Sequence, residues 1–395
     1  MRIMLFSDTF PPELNGVATS TYNLYKTLKE HGHEVYVVTT NSHPTNKKVL
    51  IENGDVIRLY GIELKKLYGY RMAKFYFPSV MKFIKKFKPQ VIHVQTEIGI
   101  GIFGKLVAKR LKIPLVYTYH TMYEDYTYYV TKGHRFFDFF AKKIVRSYSR
   151  IVASKATEFI SPSKKTKEKF RTYGANNYIN IVPTGIDFNK YKKVNSNLDA
   201  IKEYKINNNL EDTFIILSLG RIAKEKSIDV CMRGYAEYLK KDKGVKTYML
   251  IVGGGPDLME LQLLAKDLQI EEHVKFVGPV PTEKVPFYYH LSDLFVSASI
   301  TETQGLTFME AMASETLVLA RFDENLVNVI NDNNNGFFFS NVDDFSNKLD
   351  SIISMDNDLK EKMKANALKT IEEYSIDKFY ENIMEVYNRA IRKYW

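Results

Sequence analysis

Short apolar runs alternating with amphipathic stretches, twice over, constrain this chain more than any other feature. RIMLF (2–6) is followed by a helical pattern from Val17 to about Glu30, with Leu24, Tyr25 and Leu28 apolar, and then by the strand-like GHEVYVVTT. Further strand-like runs are VIRLY (56–60), VIHVQ (91–95), PLVYTYH (114–120), EFIS (158–161) and YINIVP (178–183). A second series opens at TFIILSLG (213–220). It continues through helix 227–240, YMLIVG (248–253), helix 257–268, HVKFVG (273–278), strand 294–296 and TLVLA (316–320). Strand–helix alternation repeated in this way predicts an α/β class with two doubly wound, largely parallel sheets. A length of 395 residues suits two domains. The break falls near 184–212, which is polar and rich in Asn and Lys, and the tail from about Ile376 to Tyr394 reads as one helix. That helix would carry Phe379, Ile383, Val386, Tyr387, Ala390 and Ile391 on one side.

Composition narrows the function classes. Cys231 is the only cysteine, which excludes an intramolecular disulfide and a Cys-based zinc site and fits a reducing compartment. It lies in an apolar helix pattern, as a buried inert thiol would. MRIMLFSDTFPP lacks the apolar core and cleavage site of a signal peptide, and no run of about 18 apolar residues is present. The expected location is therefore the cytosol or the cytosolic face of a membrane. The net charge of +10 is uneven: residues 1–190 carry 31 Lys+Arg against 14 Asp+Glu, and the rest carry 25 against 32. The basic half suits an anionic partner, nucleic acid or bilayer. Zinc spacing, RNP-type strands and a helix-turn-helix pair are all missing, which counts against nucleic acid.

The chemistry concentrates where strands end. In DLFVSASITETQGLTFMEAMA (293–313), an apolar strand gives way to a small-polar loop and then to a helix. Glu302 lies in the loop and Glu310 about a turn and a half into the helix. Strand, loop and helix start is where α/β proteins place ligands, and backbone N–H groups there suit an oxygen-rich one. In LSLGRIAKEKS (217–227), Arg221 and Lys226 flank a second such turn, where a cationic pair suits a diphosphate. A solvated loop and ordinary helix-face carboxylates account for the same residues equally simply. Gly16 would let backbone approach a phosphate, or would be a plain helix start. The first βαβ unit lacks G-x-G-x-x-G, so a dinucleotide site is not supported.

GRIAKEKS, IVGGGP, FVGPVP and SASITETQGLTFMEAMA occur in this order, and FSDTFPPELNG, VIHVQTE, YHT and PTGID precede them. Together they resemble the retaining glycosyltransferases of family four over nearly the whole chain. The resemblance implies a GT-B fold: two Rossmann-like domains facing a deep cleft, with the terminal helix crossing back to the first. The implied bounds are 1–188 for the acceptor domain, 189–375 for the nucleotide-sugar domain and 376–395 for the returning helix. It also implies roles. Arg221 and Lys226 would neutralise the donor diphosphate, Glu310 would take the ribose hydroxyls and Glu302 the sugar hydroxyls. Backbone amides of Thr303, Gln304, Gly305 and Leu306 would line the sugar, and Val280 would lie by the base. Gly16 would approach the phosphates and His120 would face the sugar, so that His120, Arg221, Lys226 and Glu302 form the catalytic set. Family members often carry two glycines at the first loop, where this chain has Asn15-Gly16. A leaving diphosphate gains charge in the transition state, so fixed cations help most there. No carboxylate pair presents itself for a double-displacement route, which favours front-face displacement assisted by the leaving phosphate. The expected cofactor list is empty: UDP-glucose is a substrate, and a divalent metal is not required, though it could stimulate.

The acceptor side rests on residues 65–88, which hold eight Lys/Arg, seven aromatics and no acid. Val80, Phe83, Ile84 and Phe87 follow helical spacing, with Lys82, Lys85, Lys86 and Lys88 elsewhere on the wheel. The pattern fits a helix in an anionic bilayer interface; it also fits a helix packed on the sheet with its lysines in water. Lys65, Lys66, Arg71, Phe83, Lys85, Lys86 and Phe87 are the candidate membrane residues, and Tyr123, Glu124 and Asp125 the candidate acceptor residues. The run 120–150 repeats the basic aromatic theme. It resembles bacterial diacylglycerol glucosyltransferases, which implies glucose transfer from UDP-glucose to membrane diacylglycerol by a peripheral membrane enzyme. A glycosylated lipid or a soluble sugar or hydroxy-acid acceptor is the alternative.

Overall fold

The computed structural model describes residues 1–13, 15–41, 49–64, 70–120, 124, 135–192, 195–299, 302 and 304–394. The chain divides into two compact units: Met1–Gly185 with Ile376–Trp395, and Ile186–Ser375.

In the first unit, β1 (Arg2–Phe6) leads into α1 (Gly16–Glu30), β2 (Glu34–Thr40), β3 (Val49–Glu52), β4 (Val56–Leu59), and the hairpin β5 (Gly61–Leu64) and β6 (Tyr70–Ala73). Then follow α2 (Pro78–Phe87), β7 (Val91–Val94), α3 (Ile100–Leu111), β8 (Leu115–Thr118), α4 (Arg135–Lys155), β9 (Glu158–Ser161), α5 (Lys164–Thr172) and β10 (Ile179–Ile181). The eight-stranded sheet runs β10-β9-β8-β7-β1-β2-β4-β3, parallel except where β3 meets β4. Strand order reverses between β1 and β7, which pair from Ile3↔Val91 to Phe6↔Val94. Asn15 starts α1 by accepting from Ala18 N–H at 2.9 Å, a side-chain cap that supplies one of the orphan helix donors.

In the second unit, α6 (Phe188–Tyr191) and α7 (Asn195–Asn207) precede β11 (Phe214–Leu219), α8 (Ile228–Leu239), β12 (Thr247–Val252), α9 (Leu258–Asp267) and β13 (Val274–Gly278). The chain continues with α10 (Val285–Leu291), β14 (Leu294–Ser297), α11 (Leu306–Ala313), β15 (Leu317–Arg321), β16 (Phe337–Phe339), α12 (Val342–Ile353) and α13 (Asn357–Ile371). The six strands run β13-β12-β11-β14-β15-β16, all parallel, with the reversal between β11 and β14. Apolar clusters cover both faces of this sheet, as a parallel sheet requires.

The polar stretch that reads as a break is folded. Tyr191, Ile201 and Leu210 are buried in a core of the second unit, while Lys202, Asn207 and Asn209 of the same stretch are exposed. The last helix, α14 (Ile376–Tyr394), returns to the first unit. Its Phe379, Ile383, Val386, Tyr387 and Ala390 share a buried cluster with Ile3, Leu5, Val37 and Ile160. The chain end thus closes one face of the N-terminal sheet, and the other face belongs to a core that includes α2 and α3.

Candidate active site

The reversal between β11 and β14 is a switch point, and the carboxyl ends of strands at such a point are where doubly wound sheets bind ligands. After β11 the chain passes Gly220 and Arg221 into a single 3-10 turn, Lys224–Lys226. The GGG run after β12 supports this loop by close approach. A Cβ on Gly253 (φ +143) would lie 1.8 Å from the Gly220 carbonyl oxygen, and one on Gly255 would lie 2.0 Å from that of Ile222. Backbone hydrogen bonds Gly220 N–H to Val252 O (3.0 Å) and Ile222 N–H to Gly254 O (3.0 Å) complete the contact.

Both cations meet carboxylates. Lys226 Nζ donates to Glu302 Oε1 at 2.6 Å, and the Arg221 guanidinium donates to Glu225. Burial pushes the Glu302 carboxyl up, but the Lys226 ammonium and a hydrogen bond from the Ser299 side chain together offset this and hold it below the usual carboxylate range. The Asn325 side-chain amide donates to the Glu302 carbonyl, fixing the loop backbone. Glu225 is a buried partner that sequence reading passes over; the signal was an acid four residues after Arg221, between two lysines.

Glu310 stands on α11, whose first turn follows Gly305 in the left-handed region (φ +76) with no side-chain cap. A side chain on Gly305 would strain this left-handed backbone, and its Cβ would also push Leu326 Cδ2, 2.4 Å away, aside. Burial raises the Glu310 carboxyl, against the pull of Lys190 and hydrogen bonds from Tyr191 and Tyr289. The Tyr289 hydroxyl lies 3.1 Å from Glu310 Oε2. These tyrosines come from other segments of the unit, so local sequence carries no sign of them. Gln304 is buried, Leu306 partly so, and Val280 is a half-buried residue just after β13 that packs on the second unit's core. Thr303 lies outside the described residues.

In the first unit, His120 follows β8 at the carboxyl edge of the sheet. Its Nε2 meets Gln95 Oε1 at 2.6 Å, and the Gln95 amide meets His93 Nε2 at 3.0 Å. His93 in turn contacts Thr118 Oγ1 at 2.7 Å and, through Nδ1, the Tyr387 hydroxyl of α14 at 2.7 Å. With the Gln95 amide toward His93, its carbonyl accepts the His120 Nε2–H, so both rings fit as neutral imidazoles. Burial pushes His120 down to about 4 and His93 down to about 3. Gln95 and His93 were visible only as strand residues in VIHVQ. Gly16 is exposed in the first turn of α1.

Several expected acceptor and membrane residues are engaged elsewhere. The Glu124 carboxylate is held by Arg146 and the Tyr173 hydroxyl, with Lys169 at 3.9 Å, which makes it a buried structural anchor. Arg71 donates to Gly61 O at 3.0 Å and sits 3.8 Å from Glu63, folded along its own hairpin. The apolar side of α2 is taken by the protein: Val80, Met81 and Ile84 are buried, and the Phe83 and Phe87 rings pack against Tyr36 at 4.9 and 4.8 Å. Of the two arrangements open to residues 78–88, the sheet-packed one is realised, with Lys85 and Lys86 exposed. Lys65, Lys66, Tyr123 and Asp125 lie outside the described residues.

Comparison with known proteins places this geometry. Residues 14–190 match the family described as Glycosyltransferase Family 4, and residues 199–370 the one described as Glycosyl transferases group 1. The alpha-monoglucosyldiacylglycerol synthase of Streptococcus pneumoniae is 32% identical over 99% of this chain and 86% of its own length. The synthase of the same name from Acholeplasma laidlawii is 35% identical over 86% of this chain and 85% of its own length. The chain belongs to the family 4 glycosyltransferases. The fold of this glycosyltransferase is GT-B. Anabaena Alr3699/HepE, solved with UDP and glucose, superposes with a TM-score of 0.78 at 17% identity, covering 98% of this chain and 99% of that one. Sucrose-phosphate synthase from Thermosynechococcus elongatus gives 0.74 at 18% identity, with 98% of each chain covered.

Proposed function

We propose that this glycosyltransferase is retaining and moves glucose from UDP-glucose to the hydroxyl of diacylglycerol, as a peripheral enzyme of the cytoplasmic membrane face. The supporting observation is the identity of 32–35% to two alpha-monoglucosyldiacylglycerol synthases over most of the chain. In this reading the second unit holds the donor. Arg221 and Lys226 bind the diphosphate, which shares Lys226 with Glu302, and Glu310 takes the ribose hydroxyls. Glu302 and the backbone of 303–306 hold the sugar, and Val280 lies by the base. The loop from 220 to 226 is buttressed by glycines, so its cations are in place before charge develops on the leaving group, where fixed charge is most effective. The leaving phosphate takes the acceptor proton on the same face, so neither Glu302 nor Glu310 serves as a nucleophile. A neutral His120 offers hydrogen bonds without adding charge. The first unit receives the acceptor.

The test is incubation with radiolabelled UDP-glucose and diacylglycerol in anionic vesicles. A labelled monoglucosyl lipid that is cleaved by an α-glucosidase and resists a β-glucosidase is expected. Label in a water-soluble acceptor only, or in no product with any sugar nucleotide, overturns the reading.

A further inference from the structure

One helix turns its largest apolar side chains outward. On α4 the inner face carries Ser149, Val152 and Ala153, all buried, with Ser149 Oγ 3.2 Å from the Tyr119 hydroxyl. The outer face carries Phe136 (69% exposed), Phe140 (48%), Ile144 (69%) and Ile151 (44%). Their spacing of four, four and seven residues keeps them on one stripe. Phe137 and Phe139, 63% and 66% exposed, widen the stripe at its start. The rings pack on one another, Phe136 on Phe140 at 5.0 Å and Phe139 on Phe140 at 5.7 Å. Exposed apolar side chains are common singly, but a contiguous aromatic patch of this kind marks an interaction surface.

The charges beside the stripe choose the partner. Lys143 and Arg150 are exposed, seven residues apart, and run along one flank of it. Lys142 and Arg146 lie off the stripe and are paired with Asp138 and Glu124. Apolar rings at the centre and basic side chains with long apolar stems at the side suit a bilayer interface with anionic headgroups.

We propose that the outward face of α4 is a surface by which this glycosyltransferase docks on an anionic lipid bilayer, with Phe136, Phe140 and Ile144 entering the acyl boundary and Lys143 and Arg150 meeting the headgroups. The choice of a bilayer rests on the lipid-acceptor reading above. The α2 face offers less free apolar surface, because Val80, Met81 and Ile84 are buried and Phe83 and Phe87 are partly buried against the core.

The experiment is flotation of the full chain with phosphatidylglycerol-containing vesicles, comparing the parent with Phe136→Ser/Phe140→Ser/Ile144→Ser and with Lys143→Glu/Arg150→Glu. The triple variant is expected to lose about a hundredfold in vesicle affinity. Its melting temperature and its transfer to a detergent-dispersed short-chain diacylglycerol should hold, because these side chains are exposed. The charge variant is expected to bind weakly at low salt and to lose the salt dependence of the parent. Equal flotation of parent and triple variant overturns the proposal, as does failure of the parent to bind anionic vesicles. A parent that is dimeric by light scattering, and monomeric only in the triple variant, without vesicle binding, assigns the face to a second copy and also overturns it. Flotation that depends on α4 without sugar transfer to any lipid leaves the docking surface standing and sinks the lipid-acceptor reading instead.

Discussion

Lys226 and Glu302 pair at 2.6 Å with side chains 30% and 12% exposed, so removing either takes away part of its partner's compensation. Lys226→Ala leaves a largely buried carboxylate with less compensation. It should cost about 2 kcal/mol of stability and lower kcat together with kcat/KM. In Lys226→Ala/Glu302→Gln the stability should return while activity stays low, checked by urea denaturation and initial rates; recovery of activity as well would remove Lys226 from the diphosphate site. Glu310 carries a separate pH signature. Its carboxyl is raised by burial, and in the proposed role only the ionised form would accept two ribose hydroxyls well. UDP affinity should therefore fall on acidification earlier than an ordinary carboxylate would dictate, and Glu310→Ala should weaken UDP by roughly tenfold to a hundredfold. Calorimetric titration with UDP checks both, with Glu310→Gln as the variant that binds weakly and has lost the pH dependence.

At the scale of elements, the cation loop is only as well placed as the turn behind it. Gly253 and Gly255 lie where a Cβ would come within 1.8 and 2.0 Å of the carbonyl oxygens of Gly220 and Ile222. Gly253→Ala or Gly255→Ala must push the Arg221 loop away from β12. A stability loss of at least about 2 kcal/mol is expected, with weaker UDP binding, although neither glycine is assigned a ligand contact. An unchanged melting temperature and UDP affinity would show that the loop does not depend on this contact. The same loop shows what a sequence can disclose. Long apolar runs bounded by glycine mark their strands to within a residue or two, as TFIILSLG does for Phe214–Leu219. Short edge elements leave too little pattern: VLIE in β3, the β5–β6 hairpin and FFF in β16 are three or four residues long. Arg221, Lys226, Glu302 and Glu310 were legible because each sits at a strand-to-helix turn. Their partners Glu225, Tyr191 and Tyr289 were not, because pairing is decided by tertiary packing. The apolar spacing of α2 showed an amphipathic helix, but periodicity alone does not say whether protein or lipid covers the apolar side.

Across the whole molecule, burial in the first unit works on two histidines and two acids in opposing directions. His93 and His120 are pushed down from 6.5 to about 3 and about 4, so the unfolded chain takes up protons first and stability is lost as pH falls from 6.5 toward 4. Asp8 is pushed up from 3.8 to about 6 and Glu13 from 4.5 to about 7, both chiefly by burial. The folded chain keeps those protons longer, so this contribution is complete below the unfolded values and is lost as pH rises through about 6 and 7. Between about pH 5 and 7 the unfolded chain holds roughly as many extra protons on the histidines as the folded chain holds on the acids, and the slopes cancel. The parent should therefore show a nearly flat stability from these groups across that window. Glu13→Gln removes about half of the acid side of the balance, and its stability should rise with pH by about 1 kcal/mol per unit. Urea unfolding at several pH values, followed by a probe in the first unit, measures this directly. A flat profile in the variant would mean that Glu13 ionises normally in the fold. The same downward shift keeps His120 neutral throughout the window, so no histidine step near pH 6.5 is expected in kcat/KM, and any pH dependence of the reaction must come from elsewhere, with the raised Glu310 first in line.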